Sequence, residues 1–241
     1  MTLNHPTCWA ILLAGGGGQR FQATSPEPLN KLMIALHHRP VLAWSAQRLL
    51  ACEAISGVIL VCPDPMRSPY QKMLQSHLAI ASKPILTATA GTSRAQSVAS
   101  GLTALANLQT PPDFVLVHDG ARPLISQTLI DRVLAPLFEG QAEAVIAGLP
   151  VRDTIKKIAG QWVAETLTRE HLMAAQTPQA FSFPLLHQAH RLAQQSTCAT
   201  DDAQLIEAMG YPVHWVLGDP KNLKLTISDD LSILSAYSSG Q

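Results

Sequence analysis

Four consecutive glycines, Gly15 to Gly18, follow an apolar run and are themselves followed by Arg20, with a further cation at Lys31 beyond a proline-rich bend. Glycine tolerates positive φ and close backbone approach, so successive N–H groups in such a loop can converge on one anion. Two cations near the loop add charge for the same phosphates. Neither of the common glycine fingerprints fits. Reading G-x-G-x-x-G from Gly15 or Gly16 demands glycine at Arg20 or Phe21, and no G-K-[ST] ending is present. The loop therefore argues for phosphate binding but against a dinucleotide dehydrogenase and a P-loop kinase.

A second constellation, His118-Asp119-Gly120-Ala121-Arg122-Pro123, ends another apolar run. A carboxylate at a strand end binds a metal or a hydroxyl, or caps the next turn; Arg122 beside it is placed to hold a substrate phosphate. His118, inside the apolar run, reads as a core histidine. Gly91 and Thr92 precede a helix opened by Arg94 and Ser97, where the serine hydroxyl caps the helix or contacts a base or ribose. Thr200-Asp201-Asp202 reads as an ordinary helix N-terminus rather than a metal pair. His187 and His190 share a helix face, yet no third zinc ligand lies near them in sequence.

These residues need strand ends to carry them, and the sequence supplies strands. Short Val/Ile/Leu-rich runs recur at Trp9–Ala14, Val58–Cys62, Phe114–Val117 and Ala144–Leu149, separated by segments of helical spacing such as Val41–Ala51 and Arg94–Leu108. That alternation predicts an α/β fold: a Rossmann-like, mostly parallel sheet with helices on both faces, whose ligands sit at the strand C-terminal ends. The polar, strand-prone stretch Arg152–Thr177 breaks the rhythm and predicts a protruding β-arm. Such an arm has no core of its own and is expected to find a partner, most economically a second copy of the chain. Trp44, Trp162 and Trp215 are assigned to core or interface.

The 241 residues, 47% of them hydrophobic, suit one domain spanning 1–241, with the arm at about 152–177 as its dimerisation element. Seventeen basic side chains balance seventeen acidic ones, so no global field favours nucleic acid or anionic lipid, and anions must be held locally. Cys8, Cys52, Cys62 and Cys198 are scattered without a C-x-x-C pair, the N-terminal residues lack a signal-peptide pattern, and the apolar runs are too short for a bilayer. A cytoplasmic protein without membrane contact is expected.

The glycine loop is one of several motifs in order. Gly91-Thr92-Ser93-Arg94-Ala95-Gln96-Ser97-Val98-Ala99-Ser100-Gly101-Leu102, Val117 to Pro123, Val151-Arg152-Asp153-Thr154-Ile155-Lys156, Ala175-Gln176-Thr177-Pro178-Gln179 and Asn222-Leu223-Lys224-Leu225-Thr226 follow it. The L-A-G-G-x-G-x-R loop with its downstream lysine resembles the sugar-nucleotidyltransferase superfamily. All of them together resemble the 2-C-methyl-D-erythritol 4-phosphate cytidylyltransferase family, over about Trp9 to Leu231. The ribitol-5-phosphate cytidylyltransferase family shares the scaffold and the L-A-G-G loop; Ala121, Arg152, Lys156 and Thr168-Arg169 are closer to the methylerythritol enzymes. Two departures stand out. Lys31 lies in P-L-N-K-L where the family has P-K-Q, and Gly120 replaces a more usual alanine.

The resemblance implies transfer of CMP from CTP to a methylerythritol phosphate, with pyrophosphate released and Mg²⁺ bridging the CTP phosphates. It implies catalytic roles for Arg20, Lys31, Arg169 and Lys224, and a CTP site made by Ala14, Gly15, Gly16, Gly18, Gly91, Thr92, Arg94, Ser97 and Asp119. The polyol phosphate would be held by Asp119, Arg122, Thr154, Arg169, Thr177 and Lys224, and Asp119 is the one candidate protein ligand for the metal. The arm would deliver Arg169 to the neighbouring subunit of a homodimer.

Overall fold

Along the first buried strand, Ala10 and Leu12 face one apolar cluster while Ile11 faces another. Val58 and Leu60 against Ile59 and Val61, and Leu116 against Val115 and Val117, repeat the division. A strand buried on both faces has to be apolar at successive positions, which is why these segments read as unbroken hydrophobic runs. The computed structural model describes residues 6–16, 18–24, 30–78, 83–193 and 199–239, the side chains of Gln19 and Arg20 excepted.

In chain order the elements are β1 (Cys8–Leu13), α1 (Gln19–Thr24), the small pair β2 (Ala35–Leu36) and β3 (Arg39–Pro40), α2 (Val41–Ala51), β4 (Ile55–Cys62), α3 (Asp64–His77) and β5 (Ile85–Thr89). There follow α4 (Arg94–Ala106), β6 (Phe114–Asp119), α5 (Gln127–Phe138) and β7 (Ala144–Pro150). The hairpin β8 (Lys156–Ala159) and β9 (Trp162–Thr166) comes next, then a 3₁₀ turn, β10 (Met173–Ser182), α6 (Phe183–Leu192), α7 (Ala203–Ala208), β11 (His214–Leu217) and α8 (Asp230–Ser238). The seven-stranded sheet has the order β11-β7-β10-β6-β1-β4-β5. Its pairs are parallel except where β10 runs antiparallel between β6 and β7. Helices α2, α3 and α5 bury Leu42, Tyr70 and Ile130 on one face, and α4 and α6 bury Leu102 and Leu186 on the other. The α/β architecture with two covered faces is the one the sequence implies.

Parallel register brings the chemistry together. Leu13 pairs with both Val61 and Asp119, so the glycine loop and the Asp119 segment leave the same edge of the sheet side by side. The arm itself is narrower than its sequence suggested: the hairpin β8–β9 stands apart as its own two-stranded sheet, and Met173 already pairs with Pro150 in the main sheet. The return is enforced by Ala180 and Phe181, which bury on opposite faces. Pro178, which cannot donate to a ladder, sits where the β10–β7 register shifts between Gln176 and Gln179. Among the described residues no helix is long and apolar enough to cross a membrane.

Candidate active site

The glycine loop leaves β1 with Ala14 N–H bonded to Val61 O, and Ala90 N–H bonds Cys62 O at the neighbouring strand end. The two loops then press together. A Cβ on Gly15 would come within 2.5 Å of the Ala90 Cβ, so only glycine fits at this crossing. Gly18 has φ of 64°, the left-handed region glycine enters at no steric cost, and the Lys31 stem passes beside it. Gly17, the bend at 25–29 and Cys198 lie outside the described residues, as does the Arg20 side chain, although its backbone begins α1.

Beyond β5, α4 is capped by Ser93, whose hydroxyl accepts from Gln96 N–H at 3.1 Å. The buried Ser97 hydroxyl donates to Ser93 O at 2.9 Å and accepts from Gly91 N–H at 3.1 Å, so it shapes the Gly91–Thr92 turn. Gln96 Oε1 accepts from Thr92 N–H as well. A cavity of about 240 Å³ opens here, and Gly15, Gly16, Gly91, Thr92, Arg94, Ser97, Asp119, Lys31 and Lys224 all line it. The wall brings together nine residues that the sequence assigned to the site, while Ala14 and Gly18 do not line it.

At the end of β6, Asp119 is 8% exposed. Its Oδ2 lies 2.8 Å from Lys224 Nζ and 3.6 Å from Arg122 Nε. Burial alone would raise the carboxyl pKa, but Lys224, Arg94 and Arg122 outweigh it and hold the group well below the usual carboxylate range, ionised at neutral pH. Burial pulls the Arg122 guanidinium below its ordinary value by more than Asp119 returns; an arginine nevertheless stays charged. Arg122 Nη1 donates to Asn222 O at 2.7 Å and Lys31 Nζ to Leu225 O at 2.7 Å, so one C-terminal segment aims three cations.

Behind the carboxylate, Asp119 N–H donates to Thr177 Oγ1 at 3.1 Å. Thr177 Oγ1 lies 3.3 Å from His118 Nδ1, and His118 Nε2 lies 3.1 Å from Arg122 O. The carbonyl can only accept, which assigns the proton to Nε2 and leaves Nδ1 to accept from the threonine. His118 is thus a core histidine, as its sequence context implied, and burial pushes its pKa down to about 4. Gly120 also has a reason: a Cβ there would lie 2.8 Å from Leu13 O, so the alanine usual at this position would force the end of β1 to move.

Arg122 and Lys224 also line a second opening of about 430 Å³ with Gln176 and Thr226, so Lys224 belongs to both cavities. Thr154 is exposed, and Arg169 donates to Arg152 O at 2.9 Å on a separate surface cleft. Among the described residues neither lines either of these two cavities. Asp202, assigned from sequence to a helix start, is 1% exposed and pairs with Arg94 at 2.7 Å. The capping belongs to Asp201, whose Oδ1 accepts from Gln204 N–H at 3.0 Å. Among the described residues no three His, Cys, Asp or Glu side chains cluster as a metal site. One carboxylate on the wall of the glycine-lined cavity fits Mg²⁺, which binds through one or two carboxylates plus substrate phosphates.

The chain matches the family model described as IspD, 2-C-methyl-D-erythritol 4-phosphate cytidylyltransferase, over residues 8–239. A 2-C-methyl-D-erythritol 4-phosphate cytidylyltransferase of Prochlorococcus marinus is 39% identical over 228 residues, covering 94% of this chain and 96% of that protein. A crystal structure of the enzyme of that name from Thermus thermophilus superposes with TM-score 0.71 at 30% identity, covering 95% and 97% of the two chains. That of a 4-diphosphocytidyl-2C-methyl-D-erythritol synthase from Anaerococcus prevotii gives 0.81 at 26% identity, over 98% and 97%. The chain therefore belongs to the 2-C-methyl-D-erythritol 4-phosphate cytidylyltransferase family, and it is a cytidylyltransferase.

Proposed function

We propose that the protein transfers CMP from CTP to 2-C-methyl-D-erythritol 4-phosphate, with CTP in the glycine-lined cavity and the polyol phosphate in the adjoining one. The observation that carries this reading is Lys224, shared by both cavities and 2.8 Å from Asp119. The nucleophile is the substrate phosphate, whose second pKa of about 6 leaves it largely dianionic at neutral pH, so no general base is needed. The difficulty is bringing two polyanions together, which demands positive charge and position. Lys31 and Lys224 face the CTP phosphates with the loop amides; Arg20, directly after the loop, is assigned to the same charge. Arg122 and Lys224 hold the polyol phosphate, and Asp119 fixes Lys224 or the polyol hydroxyls.

Mg²⁺, when bound, supplies neutralising charge across the triphosphate, and Asp119 is the residue that would hold it. Backbone carbonyls of Ala14, Gly15, Gly91 and Thr92, shaped by Ser97, suit the cytosine amino group; uracil would set acceptor against acceptor. Exposure of Ile158 (69%), Trp162 (81%) and Val163 (63%) on the hairpin supports its burial against a second copy, with Arg169 serving the partner's polyol phosphate. The free cysteines Cys8, Cys52 and Cys62 support a reducing, cytoplasmic setting.

The test is pyrophosphate release from CTP or UTP with methylerythritol phosphate or ribitol 5-phosphate. CTP with methylerythritol phosphate should be the productive pair. Preferred turnover of ribitol 5-phosphate would overturn the substrate assignment.

A further inference from the structure

Arg94 stands at the first turn of α4, on the wall of the glycine-lined cavity, with a quarter of its side chain exposed. Its Nη1 lies 2.7 Å from Asp202 Oδ2, and Asp202 Oδ1 lies 3.0 Å from His190 Nε2. Asp202 and His190 are both buried, one at the start of α7 and one on α6. Asp202 N–H bonds the Gln179 side chain, whose amide reaches Asp201, so β10, α6 and the start of α7 converge on this point.

A carboxylate so buried is costly unless paired, and here its pairing reaches a residue on the substrate cavity. Arg94 is also near enough to Asp119 to favour its ionised form. Arg94 Nη2 has no hydrogen-bond partner among the described residues.

We infer that Asp202, backed by His190, is a positioning residue for the transfer reaction: it fixes the Arg94 guanidinium on the CTP cavity, so that its charge and geometry are set before the nucleotide arrives. The inference rests on the CTP cavity assigned above. Neither Asp202 nor His190 touches substrate in this arrangement; both act through Arg94.

The test is a double-mutant cycle on the full chain with CTP and methylerythritol phosphate, reading kcat and KM for CTP and the thermal midpoint. Asp202→Asn keeps the shape and removes the charge. On native Arg94 it should lower kcat/KM for CTP on the order of ten- to a hundred-fold, the scale of a misplaced catalytic neighbour. On an Arg94→Ala background it should cost nothing further. Equal losses on both backgrounds, or a fall in thermal midpoint with kcat/KM unchanged, would overturn the inference. Should Asp202→Asn not fold, His190→Leu, which removes the donor to Asp202 Oδ1, runs through the same cycle with the same two readings. The wild-type assay stands apart: absence of CTP turnover there removes the cavity assignment, whereas non-coupling in the cycle removes only the role of Asp202.

Discussion

Lys224 Nζ and Asp119 Oδ2 lie 2.8 Å apart at the seam between two cavities, and the carboxylate is by far the more buried of the two. The lysine is therefore held by a group that cannot itself leave. Lys224→Met should lower kcat by roughly two to three orders of magnitude, the scale for losing one preorganised charge donor. Asp119→Asn should act in the same direction by releasing Lys224. Steady-state kinetics with both substrates decides: near-normal kcat in Lys224→Met would remove the lysine from the transition state.

The Arg20 side chain is assigned from sequence, directly after the glycine loop. Arg20→Ala should lower kcat by about two to four orders of magnitude while CTP still binds. Calorimetric CTP binding beside turnover separates the two effects, and an unchanged kcat would place Arg20 outside the chemistry.

Among the described residues Arg169 donates to Arg152 O, and the hairpin before it exposes Trp162 and Ile158. If the arm completes a neighbouring site, mixing Arg169→Ala with Lys224→Met under subunit exchange should restore part of the activity, because one site per mixed dimer regains both cations. Two inactive parents that remain inactive together, or a fully active monomer by sedimentation, would show that sites are not shared.

His118 is neutral in the fold and reaches its proton only near pH 4, whereas an unfolded histidine takes one up near 6.5. Between those values the unfolded chain binds more protons, so stability falls as pH falls, by up to about 1.4 kcal/mol per pH unit from this residue. It is fully present above pH 6.5. His118→Gln should show a flatter stability profile than wild type across this window in urea titrations. A wild-type-to-variant difference independent of pH from 7 to 4 would mean that His118 contributes no proton linkage.

The parallel strands were legible because burial on both faces forces continuous apolar runs, and the glycine loop because its spacing excludes the better-known nucleotide motifs. The limit of the arm was not. Gln176-Thr177-Pro178-Gln179 is polar and carries a proline, so by local preference it does not read as a central strand; only its pairing with β6 and β7 makes it one. Asp202 does stand at the start of α7, as its neighbours imply, but its ion pair was hidden for a related reason. Next to Thr200 and Asp201 it carries every local sign of a helix start, and its partner Arg94 is adjacent only in space.

The contact of Lys31 with Leu225 O spans 194 positions of chain, and the partners of Asp119 and Arg122 lie in the same late segment. A chain emerging from the ribosome can therefore build most of its sheet while its reaction centre is still unassembled. Until residues 222–225 have been added and docked, Arg122 lacks the Asn222 carbonyl, Lys31 lacks the Leu225 carbonyl and Asp119 lacks its lysine. Chains that stop short of residues 222–225 would carry the scaffold without the reactivity, so order in the sheet and competence at the site are separable properties of this fold.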